Sequence, residues 1–163
     1  MKIALLIGSD SDFDIAREAV DIFKEFGISF QLEVTSAHRS PERTKNLVNK
    51  LENEGAEIFI AVAGKAAHLA GVVASHTFKP VIGVPVGGPT LNGLDALLST
   101  VQMPKGVPVA CMGIGKSGAG NAALLAAEIL SLKDQSIAEQ INIYREQMAE
   151  KVKEASRKIK ERL

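Results

Sequence analysis

Apolar runs and helix-spaced apolar positions alternate along this sequence from one end to the other. KIALLIG (residues 2–8) is almost continuously apolar, the pattern of a strand covered on both faces. Ile15, Ala16, Ala19, Val20, Phe23 and Phe26 follow at the spacing of one helix face, which Gly27 ends. A second strand is predicted over residues 28–34. Ser40, Pro41 and Glu42 then read as the cap, first position and acidic first turn of a helix. Its apolar face is Leu47, Val48 and Leu51, and Gly55 ends it. EIFIAVAG (57–64), PVIGVPV (80–86) and VPVACMG (107–113) predict three more strands, with helices over about 66–75, 92–102 and 121–131. Five strands alternating with helices predict the α/β class. The expected architecture is a three-layer open parallel sheet, flavodoxin-like or Rossmann-like, with a long C-terminal helix.

That last stretch has its own rhythm. Ile137, Ile141, Tyr144, Met148, Val152, Ala155 and Ile159 step by three or four, one narrow seam on a helix ~42 Å long. A compact domain of ~150 residues has a radius of gyration near ~15 Å. The expectation is therefore a single α/β domain over residues 1–163. From it residues 134–163 project as a helix that makes subunit contacts.

Composition narrows the function classes. The chain has 163 residues, 46% hydrophobic and 23% charged, which suits one globular domain and not a disordered one. Nineteen basic residues equal 19 acidic ones, so no broad field holds nucleic acid or an anionic membrane, and any anion site is local. The single cysteine, Cys111, excludes an internal disulfide and a Cys-rich zinc cluster. No apolar run approaches the roughly 20 residues of a spanning helix. MKIALLIG is too short for a secretory leader, and the cytoplasm is the expected compartment.

In open α/β sheets ligands bind beyond the carboxyl ends of the strands, and each predicted strand here ends in an unusual loop. In GSDSD (8–12), Ser9 and Ser11 offer hydroxyls beside the free N–H groups of a helix start, a seat for phosphate. Asp10 and Asp12 can accept from sugar hydroxyls; a plain helix cap at Ser11 or Asp12 would look the same. In TSAHRSPERT (35–44), Arg39 can grip phosphate through two parallel hydrogen bonds and His38 can exchange a proton, with Ser36 alongside. AGKAAHLAG (63–71) is small enough at Gly64 and Ala66 for backbone to approach a flat ring, and its His68 is either a ligand contact or a packing residue. His76 reads as a cation at a helix end or a packing residue. GVPVGGPTLNGLD (83–95) either walls a pocket or forms a subunit contact. GIGKSG (113–118) matches G-x-G-x-x-G, but no strand follows to carry the acid of a dinucleotide site, and Ala110 stands where a Walker loop requires glycine. Three scattered histidines and one thiol match no metal-ligand spacing. These residues describe an α/β protein that binds a small phosphorylated compound and can move a proton at His38.

GSDSD, SAHRSP, AGKAAHLAG, NGLDALLSTVQMPKGVPV and GNAALLAAEIL together closely resemble the PurE family of purine biosynthesis, over roughly residues 3–132. The resemblance implies an N5-carboxyaminoimidazole ribonucleotide mutase, which moves a carboxyl group from an exocyclic nitrogen to a ring carbon. It also implies a homo-octamer, and neither metal, biotin nor nucleotide cofactor. By matching motif it places Ser9, Ser11 and Asp12 at phosphate and ribose, and Ser36 and Arg39 in the phosphate grip. His38 falls on the catalytic imidazole, and Gly64, Ala66 and His68 in a loop covering the imidazole ring and carboxylate. The sequence departs from the family pattern at Lys65 for glycine, Ala70 for proline and Ser40 for threonine. Two alternatives stand: a branch that carboxylates aminoimidazole ribonucleotide directly with CO2, and a non-catalytic phosphate- or flavin-binding module of flavodoxin-like shape. Arg39 and His68 favour the mutase, because the carboxylase branch carries lysine after the motif histidine and lacks AAHL.

Overall fold

A computed structural model of the chain describes residues 1–162. The chain divides into two compact units, residues 1–126 and the stretch from 127 onward.

The first unit holds the sheet. Its strands are β1 (Ile3–Ile7), β2 (Phe30–Val34), β3 (Ile58–Gly64), β4 (Val81–Val86) and β5 (Ala110–Cys111), all parallel in the order β2-β1-β3-β4-β5. This is the flavodoxin-like order expected of the α/β reading, with the chain reversing its direction of travel across the sheet between β1 and β3. β1 is buried at all five positions because helices cover both of its faces. Alternate residues divide the core. Ala4, Leu6, Phe59 and Ala61 pack with Leu47, Val48 and Leu51 of α2 (Pro41–Asn53) and Leu69, Ala70 and Val73 of α3 (Leu69–Ala74). Ile3, Leu5 and Ile7 point the other way. α1 (Phe13–Glu25) buries Ala16, Ala19, Val20, Ile22 and Phe23, and its Phe23 ring lies 5.6 Å from that of Phe30.

Gly27 ends α1 as predicted. At φ +66° it lets the Ile28 N–H donate to the Phe23 carbonyl at 2.8 Å, closing the helix end in a left-handed turn.

Several boundaries differ from the sequence pattern. The second strand starts at Phe30, because the Lys2 and Ile3 N–H groups both donate to the Ser29 carbonyl. The third helix does not begin near Ala66; residues 65–68 form a turn with the His68 N–H donating to the Ala66 carbonyl at 2.8 Å. α4 spans Leu94–Val101, shorter at its start because Asn92 and Gly93 both hold positive φ. The fifth strand shrinks to two residues: Pro108 has no N–H to donate, and Val107 is held in a turn by the Pro104 carbonyl. α5 (Lys116–Ser131) starts five residues earlier than its apolar pattern suggests, with the Ala119 N–H donating to the Gly115 carbonyl at 3.0 Å. Pro85 sits inside β4 without disrupting it, since β5 pairs only with Ile82 and Gly83.

Within the second unit, α6 (Gln135–Lys160) is capped by Asp134, whose carboxylate accepts from the Ser136 N–H at 3.2 Å. Arg145 pairs with Glu128 at 2.5 Å. The predicted seam is buried at Ile137 and Ile141 and exposed at Met148, Val152 and Ile159. Among the described residues, no helix is long and apolar enough to cross a membrane.

Candidate functional site

A cavity of about 650 Å³ opens at the carboxyl ends of β1 to β4, where the strand order reverses. Ser9, Ser11, Asp12, Ser36, His38, Arg39, Gly64, Ala66 and His68 all line it. The structure thus gathers these residues of three separate loops around one cavity, while Asp10, the other carboxylate considered for sugar hydroxyls, lies outside the lining.

The turn after β1 is built by its own side chains. The Ser9 Oγ accepts from the Ser11 N–H at 3.4 Å and from the Ser11 hydroxyl at 3.0 Å, which brings the two hydroxyls together at the cavity wall. Neither Ser11 nor Asp12 serves α1 as a side-chain cap; Asp12 occupies the cap position with no cap hydrogen bond. Asp12 is buried instead. Desolvation pushes its carboxyl above the ordinary value, opposed by the Ser9 backbone N–H and the Arg39 guanidinium, while nearby Asp10 adds to the rise.

The loop after β2 is a closed turn. The Ser40 N–H donates to the Ser36 carbonyl at 3.0 Å, the Ser40 hydroxyl to the same oxygen at 3.1 Å, and the Ser36 N–H to Ser40 Oγ at 3.2 Å. Ser40 precedes Pro41 as expected, yet its hydroxyl faces back into this turn and does not cap α2. Thr35 and Thr44 lock the base of the loop through a buried hydroxyl pair at 2.8 Å. Ala37, His38 and Arg39 are thereby held on a short, fixed span. Arg39 is in turn oriented by the Gly8 carbonyl at 2.9 Å and by Ser36 Oγ, 3.3 Å from its Nε. Its Nη2 bridges the loops after β1 and β2.

The loop after β3 meets this span directly. His38 Nε2 lies 2.8 Å from His68 Nδ1, with ring centroids 4.9 Å apart at an interplanar angle of 75°. One of the two facing nitrogens carries the hydrogen and the other accepts it. The pair can therefore pass a proton along a preformed path. The packing alternative for His68 does not hold, for its side chain is exposed to the cavity.

Sequence reasoning left the loop after β4 open between a wall and a contact; Val86, Gly87, Gly88 and Pro89 form part of the cavity wall. It marked Lys65 as a charge standing where the family pattern has glycine, open between the substrate carboxylate and solvent; Lys65 lines the same cavity in a left-handed conformation, φ +57°. The GIGKSG loop lies outside the cavity lining, and His76 follows α3 away from it. Among the described residues, no group of three or more His, Cys, Asp or Glu side chains is arranged to hold a metal ion.

Fold and cavity together define a class: a parallel α/β protein with a nucleotide-sized site at the switch point of its sheet, bearing a paired-imidazole proton donor and acceptor. The family model described as AIR carboxylase matches residues 2–151, and the chain belongs to that family. It is 55% identical to the N5-carboxyaminoimidazole ribonucleotide mutase of Methanocaldococcus jannaschii over 159 residues, 98% of each chain. To the enzyme of the same name from Escherichia coli K12 it is 42% identical, covering 94% of this chain and 90% of the relative. The crystal structure of Treponema denticola PurE superposes with a TM-score of 0.87 at 31% identity, covering 97% of this chain and 98% of that one.

Proposed function

We propose that this protein is an N5-carboxyaminoimidazole ribonucleotide mutase of purine biosynthesis. The observation that carries the reading is the 2.8 Å His38–His68 contact, set in one cavity with Ser9, Ser11 and Arg39. Ser9, Ser11, Ser36 and Arg39 hold the 5′-phosphate, with a permanent cation and hydroxyls on two adjoining loops. Asp12 faces the ribose hydroxyls. Gly64 and Ala66 carry no bulk that would keep backbone from the heterocycle, and His68 meets the ring side of the substrate.

The chemistry follows from one proton. The exocyclic N–CO2 bond breaks, leaving CO2 and an aminoimidazole whose nitrogen takes a proton from His38. The electron-rich ring carbon attacks the retained CO2, forming the new C–C bond. The proton of that carbon then leaves to His38, which regains what it gave, so no acid or base is consumed. Enclosure keeps the CO2 beside the ring carbon and makes the recombination effectively intramolecular.

Identities of 42–55% to relatives named as mutases support this reading over direct carboxylation. A flavin module is less well supported, because no Phe, Tyr or Trp lines the cavity to stack on a large ring. Exposed Leu94, Leu98 and Val101 on α4 and exposed Met148, Val152 and Ile159 on α6 support subunit contacts, and the reading includes a cytoplasmic homo-octamer. It also treats the chain as one functional domain with α6 as its assembly helix.

The test supplies the purified protein either with the carbamate nucleotide or with aminoimidazole ribonucleotide plus bicarbonate. Efficient formation of the carbon-carboxylated nucleotide from the carbamate alone is expected; preference for bicarbonate would make it a carboxylase. His38→Asn should retain nucleotide binding and lose turnover. Turnover at the wild-type rate would remove His38 from the mechanism.

A further inference from the structure

Lys65 stands apart from every other residue of the cavity wall. It follows the last residue of β3 and turns the chain back toward His68 with φ +57°, a conformation that costs a lysine free energy and a glycine almost none. Among the described residues no carboxylate pairs with its ammonium, and the side chain is exposed on the cavity. The other fixed cation of the site, Arg39, is already tied to Gly8 and Ser36 on the β1 and β2 side. The only carboxylate in the lining, Asp12, lies on that side too, in direct electrostatic contact with Arg39. The β3 side thus carries one unpaired positive charge, three residues from the histidine that faces His38.

We infer that Lys65 is a substrate-specificity residue that binds the migrating carboxylate. The inference rests on the mutase reading, in which the ligand carries two anions: a phosphate at one end and a carboxylate on the heterocycle at the other. Arg39 serves the first and Lys65 the second. A single ammonium on a flexible stem suits a carboxylate that changes its point of attachment, because a point charge tolerates several approach directions where a guanidinium fork fixes one. The turn sets Lys65 on the cavity wall directly after β3, with His68 and apart from the loops that hold Arg39, so its charge serves the carboxyl group and not the phosphate.

The experiment compares binding of two ligands by calorimetry: the carbon-carboxylated nucleotide and aminoimidazole ribonucleotide, which differ only in the carboxylate. Lys65→Gln and Lys65→Gly should weaken the first by about tenfold, the value of one charge-assisted contact, and leave the second within about twofold. Lys65→Arg should restore most of the loss. Lys65→Gly also relieves the left-handed backbone, so its thermal midpoint should not fall; it carries the test even if Lys65→Gln folds poorly. Equal weakening of both ligands, or no change in either, overturns the assignment. Wild-type conversion of the carbamate nucleotide, measured alongside, separates the two failures. If the wild type turns over and the variants bind normally, only the role of Lys65 is wrong; if the wild type does not turn over, the mutase reading itself fails.

Discussion

Two glycine- and serine-bearing loops, each leading from a strand into a helix, do opposite work in this molecule. Residues 8–12 after β1 and residues 113–118 after β5 both look like anion-binding turns in sequence. In the first, two hydroxyls meet at 3.0 Å on a cavity wall, and an arginine from the next loop reaches the Gly8 carbonyl. In the second, the glycine pattern answers a steric demand: a Cβ at Gly118 would collide with the Gly113 carbonyl, and Lys116 is paired outward with Glu18. The spacing of small residues shows only that backbone comes close to something. What it comes close to is decided by the neighbouring strand, and β1 has a functional neighbour on each side where β5 is an edge.

The largest expected effect lies in the steric loop. Gly118→Ala should destabilise the fold at or above the upper end of the ~1–3 kcal/mol typical of overpacking, because the obstructing atom is backbone and cannot rotate away. Denaturant melts read the loss, while activity per folded molecule should stay near wild type; a large drop in substrate affinity would instead make this loop part of the site. Next is Arg39→Ala, which should cost ~1.5–3 kcal/mol of binding to any 5′-phosphorylated ligand, measured by calorimetry, with little change in melting. If melting falls more than binding, the bond to Gly8 is structural first and the contrast between the loops narrows.

The smallest effect is the pH response of Asp12. Its folded carboxyl titrates above the ordinary value of 3.8, so the native state holds a proton that the unfolded chain has released. Stability from this group is therefore present at low pH and is lost as pH rises from about 3.8 through the higher folded value. Asp12→Asn should flatten that decline, a small effect because the Arg39 attraction opposes the burial, in melts taken across the acid range. A stability that climbs with pH there in the wild type, and stops climbing in the variant, would mean that the Arg39 attraction outweighs burial.

Much of this was readable beforehand, for reasons that differ by element. β1 and β3 announced themselves because both faces are covered, so nothing polar interrupts IALLI or IFIAVA. The fifth strand misled because Val107 and Val109 are apolar for packing, while Pro108 between them forbids a longer ladder. The cavity residues were found as separate loop motifs, but the His38–His68 contact spans 30 positions and exists only because β2 and β3 flank β1. Lys65 stood out only against the glycine of the family pattern, since residue type alone does not disclose a positive φ in a lysine. Ser40 shows the reverse: its position was right, and its hydroxyl bonds backward because Ser36 offers both a donor and an acceptor within the same turn.

The two borders of the sheet have a consequence for how copies of this chain can meet. β5 presents only two residues of ladder, and on β2 the Arg43 guanidinium caps the Val34 carbonyl at 3.3 Å while pairing with Glu33 at 3.2 Å. Neither margin is a template on which a second strand can zip, so runaway fibre-like stacking is discouraged from both ends. Growth of an assembly is steered toward side-chain surfaces on helices, where contacts can close into a finite symmetric particle.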